Sequence, residues 1–338
     1  LILPSSNRYT LFYASRQKLT SDSFPSSTPL RQGGDSPQAI FRLKRLPIHD
    51  KWLARIWHRA HIPIPIELVT GKIDLFHSPD FTLPPTLPGI RTLLTVHDLS
   101  FIRDPDSAWP SLRAYLMQAV PRSVQRATHI LADSQATKND LIELFKTPPE
   151  KITVLYSGVD PRFKPIRDRL EVNRVRAKYK IGAVPFALSI GTLQPRKNYR
   201  RLIEAFAKLN DPQLHLVIGG GRGWMFDDVF AQAKELRLEE RVHFIGFVDD
   251  DDLPTLYSTA ELFVYVSLYE GFGLPLLEAM ACGTPVIGSN TSSLPEVIGP
   301  VGIQVDPKNV EAITNAMLEL LSQSERRDQS SNAGVDRA

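Results

Sequence analysis

The sequence predicts an α/β protein in which a doubly wound parallel sheet is built twice, and three observations carry that prediction. Short β-branched runs alternate with longer helical patterns from about Ile73 onward, the pattern of parallel sheets covered by helices. The alternation breaks near the middle of the chain and then resumes. The residues best suited to binding fall just after strands, where open α/β sheets hold their ligands. At 338 residues the chain is long enough for two such domains, each with a core of its own.

In the first half the strands are expected at Tyr9–Tyr13, Asp74–His77, Arg91–Val96, His129–Ala132 and Ile152–Leu155. Helical patterns cover Asp50–Ala60, Ser111–Arg126 and Thr137–Phe145, and residues 20–39, rich in Ser, Pro, Gly and Gln, read as a flexible surface loop. The periodicity stops in Tyr156–Pro165, where Ser-Gly-Val-Asp-Pro and a second proline intervene, so the domains are expected at 1–157 and 158–338. In the second half strands at Phe186–Ile190, Leu214–Ile218, Val242–Ile245, Leu262–Val266 and Pro285–Gly288 alternate with helices near Tyr199–Leu209, Asp227–Leu236, Asp252–Thr259 and Pro275–Cys282.

Composition narrows the function classes. No run approaches the roughly 20 apolar residues of a spanning helix. The single cysteine, Cys282, has no internal disulfide partner, and nothing at the start reads as a signal peptide, so a cytoplasmic setting is expected. Residues 1–150 carry 18 Lys/Arg against 13 Asp/Glu, whereas the remainder carries 22 against 24. The basic half is the side for an acidic partner, although no nucleic-acid partner is expected.

The densest signal is Ser267-Leu-Tyr-Glu-Gly-Phe-Gly-Leu-Pro-Leu-Leu-Glu278-Ala-Met-Ala-Cys-Gly-Thr-Pro285, which reads strand, glycine turn, helix. Gly271 and Gly273 permit a tight turn, Pro275 suits a first helical turn, and Gly283 suits a helix end. The free N–H groups at Phe272-Gly273-Leu274 then form a site for a phosphate. Glu270 precedes the helix and Glu278 lies one turn inside it, so they would touch different parts of one extended ligand. Favouring the helix dipole explains one glutamate but not two in register with this turn.

A second signal, Ile190-Gly-Thr-Leu-Gln-Pro-Arg-Lys-Asn198, again follows a strand. Gly191 ends the strand, and Arg196 with Lys197 suits a diphosphate through a planar fork and a point charge. A solvated basic turn is the alternative. His97, in Thr95-Val-His-Asp-Leu, falls at a strand end in the first half, as does Phe76-His-Ser-Pro-Asp80; both admit a structural reading.

Other features take plainer readings. Asp249–Asp252 favours a helix N-terminus rather than a metal, and no metal site is assigned. Ser293-Leu-Pro-Glu296 has capping-box spacing. The run Gly219-Gly-Gly-Arg-Gly223 misses the dinucleotide fingerprint, and Cys282 reads as core. Trp52, Leu53, Ile56, Trp57 and Ala60 form an apolar stripe edged by Lys51, Arg55, His58 and Arg59. Core packing is the first reading of that stripe; the second is peripheral contact with anionic lipid, which would place the protein at the inner membrane face.

Together with Tyr9-Thr-Leu-Phe-Tyr, Ile130-Leu-Ala-Asp-Ser134 and Gly158-Val-Asp160, these motifs resemble glycosyltransferase family 4 over nearly the whole chain. The resemblance implies the GT-B fold, two facing Rossmann-like domains with a cleft between them, and retaining transfer from a nucleotide-diphosphate sugar with no cofactor or metal. It implies that Arg196 and Lys197 hold the diphosphate with Gly191 and Thr192, and that Glu278 holds the ribose. Glu270 and the Phe272–Leu274 backbone address the sugar, which His97 reaches from the first domain. The acceptor would be a glycan or a lipid-linked chain. Mannosyltransferases share the Gly-Thr-Leu-x-Pro-Arg-Lys-Asn form, which favours GDP-mannose over a UDP-hexose. Many relatives carry Arg at the position of Thr192. Relatives also open with a strand and Gly-rich loop and end with a helix returning to the first domain; both segments are expected to be missing here. The rivals are a nucleotide-sugar epimerase of the same fold and a non-catalytic sugar-nucleotide-binding protein.

Overall fold

A computed structural model describes residues 8–14, 40–46, 52–53, 55–60 and 62–338. The strands are β1 (Arg8–Ala14), β2 (Ile40–Leu46), β3 (Leu75–Ser78), β4 (Arg91–Val96), β5 (His129–Ala132), β6 (Ile152–Val154), β7 (Phe186–Ile190), β8 (His215–Gly219), β9 (Val242–Gly246), β10 (Leu262–Tyr265), β11 (Val286–Ser289) and β12 (Ile303–Val305). The α-helices are α1 (Glu67–Thr70), α2 (Ser100–Arg103), α3 (Pro110–Arg126), α4 (Gln135–Phe145), α5 (Arg169–Lys178), α6 (Tyr199–Ala207), α7 (Asp227–Glu235), α8 (Leu253–Thr259), α9 (Leu274–Ala281), α10 (Leu294–Ile298), α11 (Val310–Ser322) and α12 (Ser324–Arg337).

The chain divides into two compact units, Leu1–Leu94 with Gln118–Ile130, and Thr95–Met117 with Leu131–Ala338. In the first, β1 and β2 pair in parallel, Arg8 opposite Ile40 through Ala14 opposite Leu46, and β3 pairs in parallel with β4. A four-stranded sheet takes the order β3-β4-β5-β6. β2 is absent from the sequence reading, because Ile40–Leu46 mixes apolar and basic residues without a clean alternation. The loop expected at 20–39 lies outside the described residues.

The second unit holds a six-stranded parallel sheet ordered β12-β11-β10-β7-β8-β9. Its order reverses at β7, the switch point where doubly wound sheets leave room for a ligand. Each of its faces carries a core, as the period of two along a strand requires. Along β10, Leu262 and Val264 join the core under α6 and α11, whereas Phe263 and Tyr265 join the core under α8, α9 and α10. Both faces being buried explains why these strands read as unbroken apolar runs.

The chain beyond β11 adds elements that the sequence reading did not resolve: α10, the short β12, α11 and α12. The terminal helix α12 packs on α9, where Ser331 donates to the carbonyl of Gly283 at 2.5 Å. Asp249–Asp252 takes no helix-capping role through its side chains. Asp252 is buried and accepts from Arg174 at 2.5 Å, from Tyr179 at 2.8 Å and from Lys178, tying α5 to the start of α8.

Candidate active site

The site is built in the second unit from four strand ends. After β7 the chain turns through Gly191 to a single 3-10 turn, Pro195–Lys197, which ends on Asn198 in the left-handed conformation. Asn198 fixes that turn by donating through its amide to the carbonyls of Val266 and Pro307, at 2.9 and 2.7 Å. The two cations are thus delivered side by side to the loop after β10.

There they meet Glu270. Arg196 Nη1 donates to Glu270 Oε2 at 2.5 Å and to the Tyr269 carbonyl at 2.6 Å. Lys197 Nζ reaches Glu270 Oε1 at 2.7 Å and the Tyr265 hydroxyl at 2.5 Å. All three ionic side chains are largely removed from solvent. Burial pushes the Glu270 carboxyl upward, but Lys197 and Arg196 outweigh it and hold the group down at about 2. Burial also pulls the Lys197 ammonium down, against the attraction of Glu270. The geometry, with two oxygens within hydrogen-bond reach of Nζ, fixes an ion pair. The resemblance assigns the cations to a diphosphate and Glu270 to a sugar; in the structure the three side chains pair with one another.

The turn after Glu270 is held by two serines. Ser293 Oγ donates to the carbonyls of Glu270 and Phe272, at 2.9 and 2.7 Å, and Ser292 Oγ accepts from the Glu270 N–H at 2.9 Å. Ser293 stands at the N-cap position of α10, so a helix starts where the Ser293-Leu-Pro-Glu296 spacing predicts, but its side chain serves the Glu270 turn and makes no cap bond to α10. Gly273, at φ 118°, starts α9, and Leu274 at its first turn is 40% exposed. The α9 N-terminus therefore carries no side-chain cap of its own.

Gly271 is where His97 joins this loop. A Cβ on Gly271 would lie 2.1 Å from the His97 carbonyl oxygen and 2.9 Å from Asp98 Cβ, so only glycine lets the two backbones touch. Thr137 Oγ1 donates to the same His97 carbonyl at 3.1 Å, and His97 Nδ1 pairs with Asp133 Oδ2 at 2.7 Å. Asp98 bends back to accept from the Ser100 N–H at 2.8 Å, and its charge favours the protonated Arg196. Tyr269 bonds to Asp140, which also takes Arg103, so the segment before Glu270 is anchored to α4 and α2.

Glu278 is on α9, half-buried, and its Oε2 accepts from the Tyr257 hydroxyl at 2.9 Å. Burial pushes its carboxyl up, and the Tyr257 hydrogen bond opposes that. Thr192 is exposed beside Leu193, which bridges to Arg222. The glycine run after β8 serves packing: a Cβ on Gly220 would fall 2.0 Å from the Gly191 carbonyl oxygen. His77 stands exposed on β3 in the other unit.

Asp133, Thr137, Tyr257, Tyr265, Ser292 and Ser293 were not assigned to the site from sequence. Asp133 and Ser134 do follow a strand in Ile130-Leu-Ala-Asp-Ser134, which is the one local signal that could have found Asp133.

Two family profiles match the chain, "Glycosyltransferase Family 4" over residues 21–163 and "Glycosyl transferases group 1" over residues 172–337. Among curated proteins the chain is 37% identical over 271 residues to O-antigen chain mannosyltransferase B of Escherichia coli, covering 79% of this chain and 70% of that protein. It is 31% identical to the serotype-specific mannosyltransferase WbdA of Escherichia coli, covering 73% of this chain but only 31% of that longer protein. Among solved structures, sucrose-phosphate synthase from Thermosynechococcus elongatus superimposes with a TM-score of 0.67 at 22% identity, over 91% of this chain and 81% of that one. WaaG, a glycosyltransferase involved in lipopolysaccharide biosynthesis, gives 0.67 at 20% identity, over 90% and 84%. The chain has the GT-B fold of these neighbours and belongs to glycosyltransferase family 4.

Proposed function

We propose that the chain transfers mannose, with retention of anomeric configuration, from GDP-mannose to a glycan or lipid-linked acceptor, without a metal or cofactor. The observation that carries this reading is the buried Arg196–Glu270–Lys197 triad beside the start of α9, in a chain 37% identical to an O-antigen mannosyltransferase. Breaking the bond between the anomeric carbon and the diphosphate builds negative charge on the departing phosphate. Arg196, Lys197 and the N–H groups at Gly273 and Leu274 are fixed donors for that charge. The acceptor hydroxyl enters on the face the phosphate leaves, and its proton passes to the departing phosphate. Glu270 orients the cations and the sugar, Glu278 receives ribose hydroxyls, and His97 addresses the sugar.

The direct test is calorimetric titration of the purified chain with GDP, UDP, GDP-mannose and UDP-glucose, without metal, beside Lys197→Ala and Glu278→Ala. Guanosine-selective binding lost in both variants supports the reading; uridine selectivity moves the donor to a UDP-hexose. No binding by the native chain overturns the site. The anomeric proton of the product, read by NMR, checks retention, and free altered sugar without an acceptor would identify an epimerase instead.

The reading also places the protein at the inner face of a membrane. Among the described residues no helix is long and apolar enough to cross a bilayer. Trp52 is 53% exposed with the Arg55 guanidinium 4.9 Å from its ring centroid, and Arg59 is exposed on the same short segment. Asp50, Lys51 and Ala54 of the Asp50–Ala60 pattern lie outside the described residues. An exposed aromatic flanked by arginines supports contact with anionic lipid. Sedimentation with phosphatidylglycerol vesicles that Trp52→Ala leaves undiminished would refute it.

A further inference from the structure

We infer that Asp133 is a positioning residue for the sugar subsite, holding the His97 imidazole in one orientation and one tautomer. The inference rests on the reading of His97 as a sugar contact and extends it to Asp133, to which the motif Ile130-Leu-Ala-Asp-Ser134 gives no role.

His97 follows β4 and Asp133 follows β5, and these strands are neighbours in the sheet. Parallel neighbours place their C-terminal ends side by side, so the two side chains arrive together by topology. The result is a 2.7 Å contact between His97 Nδ1 and Asp133 Oδ2. The carboxylate side chain is 19% exposed and the imidazole 43%, so the acid lies under the ring and the ring faces outward. Two further bonds prevent the pair from sliding. Thr137 Oγ1 holds the His97 carbonyl, and the Thr137 N–H is itself bonded to Ser134 Oγ at 3.0 Å, next to Asp133. The contact of Gly271 with the His97 carbonyl sets the ring's root against the loop that carries Glu270.

An ionised carboxylate can only accept, so the nitrogen facing it must carry the proton. In the neutral ring this makes Nδ1 the donor and Nε2 the acceptor, the arrangement by which a second group sets the role of a functional histidine. A ring so fixed accepts a hydrogen bond from a sugar hydroxyl at Nε2. Loss of the carboxylate removes the acceptor that fixes the proton on Nδ1, so the ring can exchange tautomers and the sugar then meets a donor at the same place. Asp133 thereby selects the sign of the hydrogen bond offered to the transferred sugar without touching it.

The test uses the full chain labelled with nitrogen-15 at histidine, with GDP and GDP-mannose as probes. Two-bond proton–nitrogen correlation spectra at neutral pH should assign the Nδ1–H tautomer to His97, with the signal identified by its loss in His97→Ala. Asp133→Asn keeps a side chain that can bond the ring from either side and should give the other tautomer or a mixture at an unchanged melting temperature. The ratio of GDP-mannose to GDP affinity should fall about tenfold in His97→Ala and in Asp133→Ala, and no further in the double variant, since both remove one interaction. An Nε2–H ring in the native chain would overturn the inference. So would an unchanged ratio in Asp133→Ala beside a lowered one in His97→Ala. A ratio that ignores His97→Ala would instead remove His97 from the sugar, and failure to bind either compound would count against the donor reading. In both of those cases the spectra still decide the tautomer.

Discussion

Glu270 is the residue on which the site's electrostatics turn. Its carboxyl is held at about 2 because two cations face it in a water-poor setting. A carboxyl lowered in the folded state stabilises the fold above its ordinary value near 4.5, and that contribution disappears as pH falls through about 2. Glu270→Ala leaves Arg196 and Lys197 buried beside each other without a counter-charge. It should cost about 3–5 kcal/mol in urea unfolding, the range for breaking one side of a buried ion pair. Glu278 behaves oppositely. Its carboxyl is raised by burial, so if Glu278 takes the ribose hydroxyls as proposed, nucleotide affinity should fall on acidification at a pH above the usual carboxylate range. Tyr257→Phe removes the hydrogen bond that opposes this shift and should move the acid limb to higher pH in a titration series.

At the scale of elements, the site depends on loops that touch through their backbones. The Gly271 approach to His97 is the tightest of these within the loop that carries Glu270, and Gly271→Ala forces the loops apart. A displacement of about 1 Å at a reacting centre costs on the order of 100-fold in rate, and kcat for donor turnover should drop by about that much. Thermal melting distinguishes this from unfolding.

These contacts also mark what sequence reading could reach. The strands β7, β8, β10 and β11 were legible because burial on both faces makes them mostly apolar runs. Arg196, Lys197, Glu270 and Glu278 were legible because each lies in one continuous stretch with its glycines and proline. β2 was lost among its basic residues, and α12 has too polar a composition to show a stripe. Ser293 looked like a local cap, yet its hydroxyl spends both contacts on carbonyls more than 20 residues earlier. The Asp133–His97 pair spans 36 residues, a distance over which spacing alone carries no information.

At the scale of the whole second unit, Glu296 joins distant parts of the chain. From α10 its carboxylate accepts the Gln135 and Ala136 N–H groups at the start of α4, at 2.8 and 2.7 Å, and the Tyr156 hydroxyl at 3.0 Å. It satisfies two donors that a helix start leaves open and places a negative charge at the positive end of α4. Glu296→Ala should lower stability by about 1–2 kcal/mol, and Glu296→Gln by less, as measured by thermal melting. Because α4 carries Thr137, the same substitution should weaken donor turnover more than the loss of stability alone accounts for.

The triad at the start of α9 has one more consequence, for how the site responds to its ionic surroundings. Arg196 and Lys197 already hold an anion of their own, so the three groups together present one net positive charge rather than two. On the proposed function, an arriving diphosphate meets cations whose charge is already part-balanced from within, so few mobile ions are released to solution. Buried charges are screened far less than exposed ones. Donor affinity should therefore change little between 50 and 500 mM sodium chloride, about twofold or less, in the calorimetric titration, and Glu270→Gln should make the binding both tighter for free nucleotide and visibly salt-dependent.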